Sequence, residues 1–303
     1  MNFSSKDLDE SDVANRDLFL SLLKKSLLAT LYEESSWYIM GSRPEANDAS
    51  AKGWLKKKIL DVIHSRGFIL AKPLPLDAQA LKLREDGRTS GFFSHTMIGM
   101  HRLDNVQKCI ETVVRENIEG DLIETGAWRG GSTIFMRGVL KSMNVTDRKV
   151  WVADSFEGFP DVAGDANAHA GDADMNLASF SEGGPLDLWL KVPLERVKAN
   201  FERYGLLDGQ VEFLKGWFED TLPNAPIEKL AILRLDGDLY KSTMDALEAL
   251  YHKVSPGGFV IVDDYGTWPQ CKAAIHDFRE REGITAPIEK IDSSSVFWRL
   301  EVP

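Results

Sequence analysis

The sequence predicts an α/β fold: a seven-stranded, mostly parallel sheet with helices on both faces, preceded by a helical, lid-bearing extension. Three observations carry this expectation. From Asn105 onward, short apolar runs alternate with amphipathic segments, the pattern of consecutive strand–helix–strand units. The runs are near-continuously apolar, as strands buried on both faces must be. Two of them end in paired acids, "LAILRLDGD" in Asp236 and Asp238 and "GGFVIVDD" in Asp263 and Asp264. Open α/β sheets bind ligands beyond the carboxyl ends of their strands.

In chain order, residues 1–15 are polar and acidic and are expected to form a disordered tail without the apolar core of a signal peptide. Asn15 to Trp37 carries Leu18, Leu20, Leu22, Leu23, Leu27, Leu28, Leu31 and Tyr32 at helical spacing, and "SRPEANDAS" breaks that helix. A second helix, "AKGWLKKKILDVIHSRG", ends on a glycine suited to a C-cap. "LAKPLPLDAQALKLREDGRTSGFFSH" reads as a long irregular segment, the kind that serves as lid, binding loop or partner-contacting arm. Residues 16–104 are thus a helical and lid region, and 105–303 the sheet domain. Within the latter, "NVQKCIETVVREN" is a helix. Strands are expected at Asp121–Glu124, Val150–Ala153, Val211–Leu214, Leu230–Leu235 and Phe259–Val262. Helices are expected at Ser132–Met143, Leu194–Phe201 and Ser242–Lys253. After the helix "CKAAIHDFRERE", the pieces "APIEKI" and "SVFWRL" form an antiparallel hairpin at the sheet edge, which completes the seven strands.

Composition excludes several classes of function. A net charge of -11 leaves no basic excess to displace counterions from nucleic acid. The lysines of "WLKKKIL" read as a solvated helix face. No apolar run approaches the ~20 residues that cross a bilayer. Cys109 and Cys271, the only cysteines, lie outside any CxxC pattern and read as reduced thiols of a cytoplasmic protein.

Candidate chemistry lies at the strand ends. In "DLIETGAWRGGST" a strand runs through Glu124 into Gly126, and a glycine pair precedes Ser132 at a helix start. Such a turn lets backbone approach a cofactor, or is simply tight; its spacing is not GxGxxG. Asp154 ends the next strand about thirty residues on, where an acid can accept from ribose hydroxyls or cap a helix. No lysine follows the glycines, as it would in a phosphate-binding loop. Asp236 and Asp238, two apart, point the same way on an extended backbone, and Asp263 and Asp264 leave a neighbouring strand. Carboxylates converging there repel unless a hard divalent cation such as Mg²⁺ offsets them, and a fourth, uncoordinated carboxylate is a ready general base. The competing reading makes each a helix cap. Trp128, Trp217 and Trp268 follow strands and wall a ligand or pack in the core, and His95 and His101 carry less signal.

Together, "HTMIGMHRLDN", "GDLIETGAWRGGSTIFMRG", "VWVADSFEGFP", "NFERYGLLDGQVEFLKGWFEDTLP", "LRLDGDLYKSTMDALEALY" and "SPGGFVIVDDYG" resemble the macrocin O-methyltransferase family, whose members methylate deoxysugar hydroxyls on macrolide and aminocoumarin antibiotics. The resemblance is dense from about residue 95 to 300 and extends to "RDLFLSLLKKSLLATLYEE". It implies a class I, Rossmann-like methyltransferase using S-adenosyl-L-methionine and Mg²⁺ on a hydroxylated small molecule, with neither nucleic acid nor membrane as partner. By the same resemblance Asp236, Asp263 and Asp264 hold the metal and Asp238 is the general base. Glu124, Gly126, Ala127 and Ser132 surround the methionine part of the cofactor. Asp154 and Ser155 match the ribose side, with Asp236 also against the cofactor. Thr96 and Met97 close over it, and Gly216 and Trp217 lie near the adenine. Family members also use the amino-terminal region for subunit contact, which implies a homodimer or higher homo-oligomer. The chain departs from the family between the first helix and His95, with roughly thirty to forty extra residues. Alternatives at this stage are a catechol-type O-methyltransferase and a non-catalytic cofactor-binding relative.

Overall fold

A computed structural model of the chain describes residues 10–31, 37–39, 51–68, 70–73, 77–91, 93–160, 172 and 189–302. Five parallel strands form the centre: β3 (Asp121–Thr125), β4 (Val150–Asp154), β5 (Val211–Lys215), β6 (Leu230–Leu235) and β7 (Val254–Val262). The two-residue β8 (Glu289–Lys290) and β9 (Val296–Arg299) make the expected hairpin, and the seven-stranded order is β5-β4-β3-β6-β7-β9-β8. Only β7–β9 and β8–β9 are antiparallel in that sheet. The order reverses direction between β3 and β6, and this switch point opens a crevice at the strands' carboxyl ends.

Register shows why these residues are strands. Ile123, Leu233 and Val260 stand side by side and bury one face against α8 (Tyr240–Leu250) and α9 (Pro269–Arg281). Leu122, Ile232 and Phe259 form the adjacent row on the other face. That face is covered by α1 (Glu10–Leu27), α4 (Met100–Arg115), α5 (Gly131–Ser142) and α6 (Leu194–Arg203). Leu20, Leu23 and Leu27 of α1 enter the same cluster as Phe135 and Val139 of α5, so the core crosses the boundary drawn at residue 104.

The amino-terminal half corrects several expectations. α1 opens at Glu10, inside the expected 1–15 tail, of which residues 1–9 lie outside the described residues. It ends at Leu27, not Trp37: Ala29 turns left-handed (φ 52°), and the Leu27 carbonyl accepts from the His95 amide at 2.8 Å. Trp37–Ile39 is instead a short strand, β1, paired antiparallel with β2 (Ala71–Pro73). The "SRPEANDAS" break lies outside the described residues. α2 (Ala51–Ser65) is capped as expected, with Gly67 at φ 77° and the Phe68 amide reaching back to Ile63. The segment read as irregular holds β2 and α3 (Ala78–Glu85), whose N-cap Asp77 accepts from the Ala80 amide at 2.7 Å. No described helix is long and apolar enough to cross a membrane.

Backbone pairing continues one residue past the central strands. Gly126 donates to Ala153, Asp236 to Thr125 and Asp263 to Leu235, at 2.8, 2.9 and 2.9 Å. Thus the strand tips, and the acids on them, share one rim. Gly126 adopts φ 97°, and a Cβ there would collide with the Asp236 carbonyl oxygen. Gly126→Ala should therefore lower the unfolding free energy by about 1–3 kcal/mol. In urea the midpoint falls while the denaturant slope stays constant; an unmoved midpoint would show that the rim is not this tight.

Candidate active site

The crevice contains a cavity of about 370 Å³, the size of a small-molecule site. One side is built by the turn after β3. Asp154 binds that turn through one oxygen, which accepts from the amides of Ala127 (2.7 Å) and Trp128 (3.2 Å); its other oxygen accepts from Phe156 (2.6 Å). Burial raises its pKa, partly offset by these three amides. Trp128 and Phe156 are themselves left-handed, at φ 48° and 57°. Non-glycine residues in that region are costly and cluster at functional sites. The carbonyl of His95 accepts from the Gly131 amide at 2.9 Å, which lays the segment 94–97 over the start of α5. Arg129 stacks 4.4 Å from the rings of both Trp128 and Trp189 and donates to the Ser94 carbonyl at 2.8 Å.

The acids at the other side are not held apart from every cation. Arg234, fully buried within β6, bonds Glu124 and Asp263 and meets Asp236 at 2.6 Å. Arg102, from α4, reaches Asp263 at 2.5 Å and Asp292 at 2.7 Å. This corrects the expectation that a metal alone offsets the carboxylates. Burial opposes charge on Arg234, yet Asp236, Asp263 and Glu124 raise its pKa well above the ordinary value. Two guanidiniums still face six carboxyls: Glu124, Asp236, Asp238, Asp263, Asp264 and Asp292. Burial among neighbouring acids holds several of these carboxyls above their ordinary range. Burial, then Asp236, push Asp238 up to about 8, and burial, despite Arg234, pushes Glu124 to about 8. Asp264 is raised well above the carboxylate range by burial and then by Asp238.

Asp236, Asp263 and Asp264 each offer an oxygen, and these lie within 4.8 Å of one another. Asp264 Oδ2 is buried without a hydrogen-bond partner. Three hard oxygens in a region of surplus negative charge, with an unpartnered oxygen on Asp264, fit a divalent cation of the Mg²⁺ type. Asp238 stands beside this group, facing Asp264 and Trp268. Its backbone is not extended: φ is 60°, and the Leu239 amide closes a three-residue turn onto the Gly237 carbonyl at 2.6 Å. A γ-turn with positive φ is the rare, strained form. The expectation that Asp236 and Asp238 point the same way along an extended chain is therefore corrected, since β6 ends at Leu235.

Met97, Gly126, Asp154, Ser155, Trp217, Asp236 and Asp238 line the cavity, as does Trp128. Glu124 and Ser132 are buried and outside its lining. Thr96 and Ala127 are buried beside it, and Gly216, at φ 141°, donates to the Asp154 carbonyl. His101 lies outside, 3.7 Å from Asp86. Residue-by-residue reading of the sequence passed over Arg234, Arg102, Asp292 and Asp172. For Arg234 a signal existed: a charged side chain in a six-residue strand buried on both faces needs buried partners.

The profile of the macrocin-O-methyltransferase (TylF) family matches residues 16–300. The chain belongs to that family. This TylF-family member is an O-methyltransferase by descent. It is 47% identical over 286 residues (94% of this chain, 93% of the relative) to the 8-demethyl-8-(2,3-dimethoxy-alpha-L-rhamnosyl)-tetracenomycin-C 4'-O-methyltransferase of Streptomyces olivaceus. Over 245 residues (81% and 94% of the two chains) it is 48% identical to the mycinamicin III 3''-O-methyltransferase of Micromonospora griseorubida. The structure of the O-methyltransferase NovP superposes with a TM-score of 0.75 at 41% identity, covering 95% of this chain and all of that one.

Two measurements test the electrostatics of this TylF-family site. Arg234→Met leaves Glu124, Asp236 and Asp263 without their shared cation and should cost about 3–5 kcal/mol in urea unfolding at neutral pH; a loss under about 1 kcal/mol would contradict the network. His95, whose Nδ1 lies 2.8 Å from the Tyr204 hydroxyl, is lowered from 6.5 to about 4 by burial, then by Arg129 and Arg203. The folded state therefore binds fewer protons than the unfolded one. Stability from the neutral ring is complete above pH 6.5 and is lost as pH falls toward 4. Melting temperature should fall more steeply across that window in the wild type than in His95→Gln, and parallel profiles would contradict the shift.

Proposed function

We propose that this protein methylates a sugar hydroxyl of a glycosylated natural product, using S-adenosyl-L-methionine and Mg²⁺, with Asp238 as general base. The observation that carries the reading is the meeting of Asp236, Asp263 and Asp264 beside a strained Asp238 at the edge of the cavity. The names of two relatives support a sugar acceptor, since one specifies a rhamnosyl tetracenomycin and both carry primed positions. They favour a sugar over the aromatic diol of a catechol-type enzyme. When bound, S-adenosylmethionine supplies an electrophilic methyl group, and Mg²⁺ supplies Lewis acidity that makes a coordinated hydroxyl more acidic.

The chain's own residues do the rest. Asp236, Asp263 and Asp264 would hold the metal, and Arg234 and Arg102 fix the orientation of Asp236 and Asp263 from behind. Asp154 locks the turn that contacts the cofactor and keeps lone pairs for a ribose. Met97, Trp128, Leu190 and Trp217 wall the cavity and exclude water. Asp238 would take the proton of the acceptor hydroxyl as that oxygen forms its bond to the transferred methyl carbon, the electron pair of the broken carbon–sulfur bond staying with the donor sulfur. A carboxylate with a raised pKa is the stronger base. Self-association belongs to the same proposal, supported by the exposed Leu18, Leu22, Trp54 and Leu55 on α1 and α2, as does a cytoplasmic location, supported by two free, buried cysteines.

Asp238→Asn should reduce turnover on a rhamnosylated aglycone by about 100-fold or more while S-adenosylhomocysteine binds as before. Unchanged turnover refutes the base assignment. Chelation should abolish methylation and added Mg²⁺ restore it; full activity in chelator removes the metal from the mechanism. A simple catechol turned over better than the glycoside would make the acceptor an aromatic diol.

A further inference from the structure

The helix that follows Asp238 is capped in an unusual way. α8 begins at Tyr240, and its N-cap position is Leu239, a residue with no side-chain acceptor. Asp and Asn are among the most favoured N-cap residues, and Asp238 stands next to this vacant duty. The structure gives the duty to Asp172 instead. One carboxylate oxygen of Asp172 accepts from the Tyr240 amide at 2.8 Å, and the other from the Lys241 amide at 3.1 Å. Asp172 is 1% exposed, lies 68 residues from Tyr240 in sequence, and contributes to the cavity lining.

We propose that Asp172 is a positioning residue for methyl transfer: it caps α8 from a distance, so that the Asp238 carboxylate is spared capping and keeps its place beside Asp264 and Trp268, and the strained turn around it is held. The inference rests on the assignment of Asp238 as the base. A left-handed non-glycine residue persists only where its surroundings over-determine it. Around Asp238 the restraints are few and local. Ser242 Oγ donates to the Gly237 carbonyl at 2.5 Å, and the Thr243 hydroxyl and amide both donate to the Leu239 carbonyl. These bonds fix the carbonyls on either side of Asp238. Asp172 fixes the first two amides beyond it. Without Asp172, those amides lose this acceptor, and Asp238, two residues before Tyr240, is a carboxylate that can turn toward them. The base would then be spent on capping, with its oxygens turned from the acceptor hydroxyl.

The test is a double-mutant cycle on the full chain with a rhamnosylated aglycone as acceptor. Asp172→Ala should lower kcat by about tenfold, the scale of losing one helix cap, with little change in the affinity for S-adenosylhomocysteine. Asp172→Asn, which keeps one acceptor oxygen, should recover part of that loss. In the Asp238→Asn background, Asp172→Ala should add less than about twofold, because the base it positions is gone. Amide hydrogen exchange at Tyr240 and Lys241 should accelerate in Asp172→Ala with the melting temperature of the chain largely kept. Losses that multiply across the two sites, or unchanged exchange at residues 240 and 241, would overturn the inference. If Asp238→Asn alone retains turnover, the base assignment fails first; if Asp238→Asn is inactive and Asp172→Ala is not, only the role of Asp172 fails. Should Asp172→Ala not fold, the Asn variant carries the same exchange and kinetic comparison.

Discussion

The contact on which the rest depends is Arg234 with its three carboxylates. One guanidinium touches Glu124 within β3, Asp236 just past β6 and Asp263 just past β7, and so ties the tips of three adjacent strands together. Removing such groups from water costs several kcal/mol per ion, and the cost is recovered only when geometry and hydrogen bonding are good. Here they are good enough to keep the rim assembled, but not enough to neutralise it. Arg102 adds a second cation from α4, and a deficit remains; burial, and then the neighbouring carboxylates, raise the pKa values of Asp238, Asp263 and Asp264. The residual charge is what makes the rim a place for a divalent cation.

The sheet also decides what kind of residue stands where. Glu124 pairs with Arg234 in register, one step along the same face as Leu122 and Ile232. The face that buries leucine and isoleucine toward α4 and α5 therefore turns ionic at its last row. Where the strands stop, three residues take left-handed backbone: Trp128 after β3, Phe156 after β4 and Asp238 after β6. Trp128 and Asp238 line the cavity and Phe156 follows the lining residue Ser155, so local conformational cost is concentrated beside the cavity.

Much of this was legible in the sequence, and the reasons are particular. The five apolar runs, the glycine turn at Gly126 and the acids at 236, 263 and 264 are local signals, each visible within a few consecutive residues. Their strands were placed to within a residue at most ends, and β7 alone began earlier, at Val254. The amino-terminal half was harder. α1 stops at Leu27 because its carbonyl is taken by His95, a partner far along the chain that no periodicity reveals. β1 and β2 are three residues each, too short to show a pattern. At the site, Asp238 resisted reading because its backbone leaves the strand, and Asp172 because capping across a long sequence separation leaves no local trace. Arg234 was the exception, visible as a charge in a buried strand and explicable only with its partners in view.

The account's central claim is that Asp236, Asp263 and Asp264 carry more negative charge than Arg234 and Arg102 cancel, and that a divalent cation takes up the difference. Calorimetric titration of Mg²⁺ into the metal-stripped chain tests it most directly. The account predicts saturable binding of one ion per chain in the wild type and none in Asp264→Asn. Absence of saturable binding in the wild type, or the same binding isotherm in both proteins, would contradict it.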